Sequence, residues 1–447
     1  MKTNNVQEKE ILKDLGAGLI LRRSTPEDAE ALANFNAAIH GDNELDGTRV
    51  AAWTRDLLTR PHPTFGLDDF TIVEEAATGR ILSSLNLIPQ TWAYEGIPFG
   101  VGRPELVGTL PEFRGQGLIR IQFDEVHKWS LECGDLAQAV TGIPYFYRKF
   151  GYEMALDLGG RQLGFEKHVP ELKDGESEPF LIHPATRADL AFVGDLYQQS
   201  QQRYPIICLR TPEIWEYELD GRSEDHVNRI EMRIITNENG ERVGYLGHHP
   251  WLTGKWISAV TYELISGISW LAVAPSVVRY LWSTGLEYAK HVQKSCKAFS
   301  FSLGAEHPAY KAFAGRLPDV QEPYAWYIRV PDVIRFLRHI APALEKRLAN
   351  SIAVGHSGKL RINRYSHMLV LTFESGKLTG VEEEARQATD YGDLGLPELT
   401  LLQLIFGRSS FEELHAAFPD AYYDNDEAVI LLDILFPKKH SNVLGIV

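Results

Sequence analysis

The chain repeats itself once, and the repeat restricts the folds open to it. Ile20–Ser24 reads as a strand entering Thr25-Pro26-Glu27-Asp28. There Thr25 suits a helix N-cap, Pro26 the first helical position and Asp28 the capping-box position. A helix over Ala29–Ala38 is expected next. The device returns 161 residues later, where Leu181-Ile182 leads into Thr186-Arg187-Ala188-Asp189 and a helix over Leu190–Gln199. Tyr147–Gly151 corresponds to Tyr310–Ala314 at an offset of 163, and Val107–Pro111 to Leu271–Pro275 at 164. Three matches in one order at nearly one offset imply two tandem copies of an α+β unit. The polar segment His168–Pro179 reads as the linker.

From about Val330 the chain does not repeat. A strand pair, Met368–Phe373 and Leu378–Glu382, flanks the turn Glu374-Ser375-Gly376-Lys377. Helices are expected over Leu396–Phe406, Phe411–Phe418 and Asp426–Phe436, with Ser410 and Glu413 boxing the second. The expected domains are therefore 1–170, 180–330 and 331–447, as 447 residues exceed one ordinary core.

A net charge of -15 argues against a general nucleic-acid binder, since phosphate is repelled. It suits a cationic substrate, or solubility alone. The three cysteines, Cys133, Cys208 and Cys296, are too scattered for a disulfide framework or a zinc site, and no metal site is read. Met1–Asp14 is polar, without the apolar core of a secretion signal, and Ile265–Trp282 is interrupted by Ser, Gly, Pro and Arg279. No membrane segment is expected.

The most informative stretch is Val107-Gly108-Thr109-Leu110-Pro111-Glu112-Phe113-Arg114-Gly115-Gln116-Gly117-Leu118-Ile119-Arg120. A strand ends at Leu110, Pro111 stops its pairing, and a tight turn opens a helix over Leu118–Cys133. Glycines at 115 and 117 allow close backbone approach. Free amides of the first helical turn favour an anion, and Arg114 adds charge. The turn is built to hold a pyrophosphate. It lacks the third glycine of a dinucleotide-fold fingerprint.

These residues resemble the GNAT acyltransferase superfamily. Its acyl-CoA signature, Gln/Arg-x-x-Gly-x-Gly/Ala, is met by Arg114 and Gly117, while Ile119 departs at the last position. The chain is similar to the enhanced intracellular survival (Eis) family, where Arg-x-x-Gly precedes two bulky aliphatics and Arg, as in Gly117-Leu118-Ile119-Arg120. That family's Tyr-x-x-Phe-Gly-Tyr/Phe motif is matched by Tyr147, Phe150, Gly151 and Tyr152. The resemblance implies an α+β chain: two tandem GNAT-like mixed-sheet domains, the first active and the second degenerate, then a sterol-carrier-protein-like domain. It further implies a cytoplasmic hexamer that transfers acetyl from acetyl-CoA to a primary amine of an aminoglycoside, polyamine or lysine side chain. The rival reading is a non-catalytic CoA-sensing or lipid-binding module.

In the family's reaction an amine attacks the thioester directly. Val107, Gly108, Thr109, Arg114, Gly115, Gln116, Gly117, Leu118 and Ile119 would hold the cofactor. The resemblance makes Tyr147 the acid for the departing thiolate; alternatively it is a core aromatic among Tyr145, Phe146, Phe150 and Tyr152. It also makes the terminal carboxylate of Val447 the base, the alternative being a tail that only packs or frays. Asp42, Glu44 and Asp46, read as a loop, with His40, are candidates for attracting a cationic amine, or else part of a solvated surface.

Overall fold

The computed structural model describes residues 10–387 and 389–447, so the polar N-terminal segment up to Lys9 lies outside the described residues. The first unit opens on a hairpin, β1 (Ile11–Gly16) and β2 (Leu19–Arg23). The Thr25 amide and hydroxyl both donate to the Asp28 carboxylate, at 2.8 and 3.2 Å, so the capping box forms. Buried Arg22 also donates to Asp28, at 2.7 Å, and anchors this corner to the sheet. There follow α1 (Ala29–His40), α2 (Glu44–Thr59), β3 (Phe70–Glu75), β4 (Ile81–Tyr94), β5 (Ile97–Thr109), α3 (Leu118–Glu132), β6 (Ala137–Val140) and β7 (Glu153–Leu158). Glu44 and Asp46, expected in a loop, instead occupy the first turn of α2, where Asn43 is the N-cap and acidic residues offset the helix dipole.

The first unit closes on β8 (Arg161–Phe165), and the second runs through β9 (Phe180–Pro184), α4 (Leu190–Gln199), β10 (Ile206–Cys208), α5 (Pro212–Glu216), β11 (Glu231–Asn237), β12 (Arg242–His248), β13 (Trp256–Leu264), α6 (Trp270–His291), β14 (Ala298–Phe301), α7 (Pro308–Ala312), β15 (Asp319–Gln321) and β16 (Tyr324–Arg329). Thr186 and Asp189 form the second capping box, at 2.8 and 2.9 Å. The short helices at Phe146–Phe150 and Pro308–Ala312 likewise occupy equivalent places after β6 and β14. The third sequence match does not hold. Val107–Thr109 ends a strand, whereas Leu271–Pro275 lies inside α6. A short apolar run does not separate buried strand from buried helix. The counterpart of β5 is β13, and the equivalent turn is Ile265–Ser269.

The first sheet has the order β1-β2-β3-β4-β5-β6-β16-β7, with β10 also on β4; the second is β15-β8-β14-β13-β12-β11-β9. The two units thus exchange their last strands. β16 inserts between β6 and β7, and β8 between β14 and β15. Sheet membership crosses the boundary expected at 170, while the third sheet, built from strands beyond residue 330 alone, shares no strand with the other two.

The C-terminal unit comprises α8 (Val333–His339), α9 (Ala341–Ala349), β17 (Gly358–Asn363), β18 (His367–Glu374), β19 (Lys377–Ala385), β20 (Leu394–Gly395), α10 (Thr400–Ile405), α11 (Phe411–Ala417), β21 (Tyr422–Tyr423) and α12 (Asp426–Leu435). The expected β18–β19 hairpin forms. The helix expected from Leu396 starts only at Thr400, because a residue preceding proline, here Pro397, is held out of helical conformation. This unit shares one apolar core with the first sheet: Phe336 packs edge-on against Tyr94 and Phe99, and the Tyr94 hydroxyl donates to the Ile405 carbonyl at 2.7 Å. Among the described residues, no helix is long and apolar enough to cross a membrane.

Candidate active site

The site begins where two neighbouring strands part. β5 and β6 pair in parallel only at Val101–Ala137 and Gly102–Gln138, then diverge. On the other side of β5, Ser84 faces Gly108 and Asn86 faces Glu105, so two residues of β5 oppose one of β4. This bulge bends the strand. Leu106 takes φ +51° there, a left-handed conformation uncommon outside glycine.

The divergence opens a cavity of about 850 Å³. On its α3 side lie Val107, Gly108, Thr109, Arg114, Gly115, Gly117, Leu118 and Ile119, with Arg120 and Lys149 beside them. Gly115 and Gly117 have φ of +79° and +81°, which explains glycine at both; a Cβ at either would meet only open space. The first-turn amides of α3 lack intrahelical partners and face this space. Behind the strand, the Ser83 hydroxyl donates to the Gly108 carbonyl and receives Gln122 Nε2, at 2.8 and 2.7 Å. These bonds fix the Gly108–Thr109 backbone.

On the α1–α2 side the lining is Ile39, His40, Val50, Trp53, Glu105 and Leu106. Among the described residues, Glu105 is the one carboxylate in the lining, and it accepts from Arg103 at 2.8 Å. Burial lowers the His40 pKa below its ordinary value, against weaker opposing effects of Glu105 and the Leu106 backbone. Tyr147 closes the wall at Gly142, where a Cβ would lie 3.3 Å from the phenol oxygen. Burial, then Glu105 and Tyr327, push that phenol well above the ordinary tyrosine range.

Ten of the residues read from the sequence therefore share one cavity, and Gln116, Asp42, Glu44, Asp46 and Val447 are not among its lining residues. Val447 is nevertheless near. It packs in one apolar cluster with Val50, Trp53 and Leu106, three residues that do line the cavity. The tail is pinned on its way: Gln90 Nε2 and Arg103 Nη1 donate to the Ile446 carbonyl at 2.7 and 2.9 Å. Buried Arg222 donates to Val447 O at 3.2 Å. Around this end, burial first and Arg222 among the further causes depress His62 to about 4 and His226 to about 2. Glu105 escaped the sequence reading because the bulge that aims it depends on pairing with β4, which no local pattern announces.

The second unit parts its strands in the same way, β13 and β14 pairing only over Trp256–Ala259. There Tyr262, Leu303, His307 and the tail residues Asn442 and Leu444 leave only about 20 Å³.

Residues 21–155 match the family model described as acetyltransferase (GNAT) domain. No curated relative matches the sequence. Among solved structures, a GCN5-related N-acetyltransferase from Anabaena variabilis is 15% identical with a TM-score of 0.62, over 95% of this chain and 99% of that one. A GCN5-related N-acetyltransferase from Kribbella flavida is 15% identical, TM-score 0.62, over 96% and 98%. Eis1 from Mycobacterium abscessus is 12% identical, TM-score 0.59, over 95% and 98%. At such identities the likeness is one of fold. The chain as a whole thus has the fold of these proteins, and its residues 21–155 are similar to the acetyltransferase (GNAT) domain.

Proposed function

We propose that the protein is an acetyl-CoA-dependent N-acetyltransferase of the Eis group, acting on a primary amine in its first unit. The carrying observation is the cavity itself. Three cations and two left-handed glycines surround the start of α3, beside a parted strand and a buried phenol. The pyrophosphate would sit on the α3 amides with Arg114, and the pantetheine arm along Val107–Thr109. The acceptor would enter from the α1–α2 side. That side is apolar except at His40 and Glu105, so it takes one amine at a time; the other charges of a polycationic acceptor would stay outside, favoured by the net charge of -15. Aminoglycosides, polyamines and lysine side chains are the acceptor classes to test.

The roles follow from environment. Tyr147 keeps its proton at any working pH and offers it to the departing sulfur. A free CoA thiol near ~8.5 is a stronger acid than tyrosine, but the dry wall that raises the phenol raises the thiolate's proton affinity too. Val447 anchors the acceptor wall through Val50 and Trp53, and its role as base is tested by the tail variants below. The sterol-carrier-like identity of the C-terminal unit, a hexameric assembly and a cytoplasmic location are proposed from the family resemblance. The test is release of free thiol from acetyl-CoA across a panel of amines: amine-dependent release supports the reading, and binding of acetyl-CoA without thiol release with any amine favours a CoA-sensing module.

A further inference from the structure

The second unit holds one side of the tail along most of its length. The Ile206 amide donates to Ser441 Oγ at 3.2 Å. Gly304, at φ +84°, lets the chain pass, since a Cβ there would lie 2.8 Å from that of Asn442. Asn442 and Leu444 fill the space where β13 and β14 part, and Leu444 packs with Tyr197 and Trp215. Arg210 Nη2 donates to the Leu444 carbonyl at 2.9 Å, and Arg222 Nη2 to Val447 O at 3.2 Å. The place that holds the proposed cofactor in the first unit is thus occupied by the chain's own tail in the second.

Arg210 and Arg222 both pair with Glu218, at 2.7 and 2.5 Å, and all three side chains are at most 4% exposed. Two cations against one anion leave a surplus positive charge in this triad, which burial makes costly unless a further anion answers it. Apart from Glu218, both guanidinium groups donate to the tail. His62 approaches the same point from the first unit. Its Nδ1 accepts from the Thr64 and Phe65 amides at 3.2 and 3.0 Å, so Nε2 carries the ring proton. That nitrogen is buried and makes no close hydrogen bond. Burial depresses the ring to about 4, and the Val447 carbonyl leads the effects that oppose it, so the ring stands beside the chain end. A surplus charge and an unused N–H therefore converge on Val447, where a carboxylate accepts from both.

We infer that the second unit is a clamp that aims the Val447 carboxylate at the acceptor side of the first unit's cavity, with Arg222 and His62 as its positioning residues. This rests on the reading of that carboxylate as the base and adds to it what holds the base in place. Neither Arg222 nor His62 lines the cavity, so both act through the chain end, which packs on Val50 and Trp53 of the acceptor wall.

The experiment measures amine-dependent thiol release for Arg222→Gln, Arg222→Lys and His62→Phe. Each is made in the parent chain and in a chain extended past Val447, with the acetyl-CoA melting shift checking folding and cofactor binding. Arg222→Gln leaves Glu218 paired with Arg210, and His62→Phe keeps a ring against Tyr217, whose centroid is 4.5 Å away. In the parent chain, Arg222→Gln and His62→Phe should lower kcat by about 10- to 10²-fold, with KM for acetyl-CoA unchanged, and Arg222→Lys should recover most of the loss. In the extended chain the same substitutions should cost nothing further, because the group they aim is already displaced. Losses that add to that of the extension show a merely structural role and overturn the clamp. So does the parent's kcat in Arg222→Gln and His62→Phe, and if Arg222→Gln fails to fold, His62→Phe decides alone. An extended chain as active as the parent overturns the carboxylate reading and the clamp with it. A parent that releases no thiol with any amine overturns the acetyltransferase reading itself, so the failures are told apart.

Discussion

Gly108 and Ile39 touch where β5 passes the end of α1: a Cβ added to the glycine would lie 2.8 Å from Ile39 Cγ2. The contact is side chain against helix, and Gly108 has no left-handed φ, so space alone demands the glycine. Gly108→Ala should push the end of α1 outward and destabilise the protein by about 1–3 kcal/mol, as overpacking does. It should raise KM for the amine more than KM for acetyl-CoA. Equal changes in both constants would show that α1 does not bound the acceptor side.

The cofactor cradle is open to a direct binding test. Gly117→Glu puts bulk and negative charge on a left-handed residue that faces the proposed phosphates. The parent should be stabilised by roughly 2.7 kcal/mol when acetyl-CoA is at about 100 times its dissociation constant, and the variant by almost nothing. Calorimetry should count one site per chain, because the second unit retains only about 20 Å³ where its strands part. A stoichiometry near two would contradict this reading of the second unit.

Deleting Leu444–Val447 removes the bonds from Gln90, Arg103, Arg210 and Arg222 to the tail carbonyls, along with the packing of Val447 on Trp53. Activity should drop steeply while acetyl-CoA binding persists, since none of the four residues lines the α3 side. Appending residues after Val447 keeps the apolar tail and displaces only the carboxylate. Loss in both constructs assigns a role to that carboxylate; loss in the deletion alone assigns the role to packing.

Acid should loosen the same region. His62 titrates at about 4 in the folded chain and near its ordinary 6.5 once unfolded. The unfolded state therefore binds more protons between these values, and stability falls as pH drops from about 6.5 to about 4. Above 6.5 both states are neutral at this position and the contribution is fully retained. His226, held lower still, acts in the same direction. Thermal melts of His62→Asn against the parent should show a shallower decline across that window; an identical slope would remove His62 from the account.

Much of the cradle was legible because its chemistry is local. Arg114, Gly115 and Gly117 stand within four residues, and their φ values are those a strand-to-helix turn requires. The capping boxes at Thr25 and Thr186 were legible for the same reason. What escaped depends on distant pairing. Glu105 lines the same cavity as His40, 65 residues earlier in the chain, beside the bulge of β5 at Leu106. The exchange of β8 and β16 leaves no local trace, since each strand reads as an ordinary partner of its own hairpin. Leu271–Pro275 was mistaken for a strand end because its apolar pattern fits either state, and the reading of Asp42–Asp46 as a loop overlooked Asn43 as the cap of α2.

The central claim is tested most directly by amine-dependent release of CoA thiol from acetyl-CoA, measured for the parent protein and for Tyr147→Phe. The account predicts turnover in the parent. In the variant it predicts an unchanged acetyl-CoA melting shift and a rate lower by about 10²–10⁴. A variant that binds acetyl-CoA and turns over at the parent's rate would make Tyr147 a packing residue, and a parent that binds acetyl-CoA yet releases no thiol with any amine would contradict the account itself.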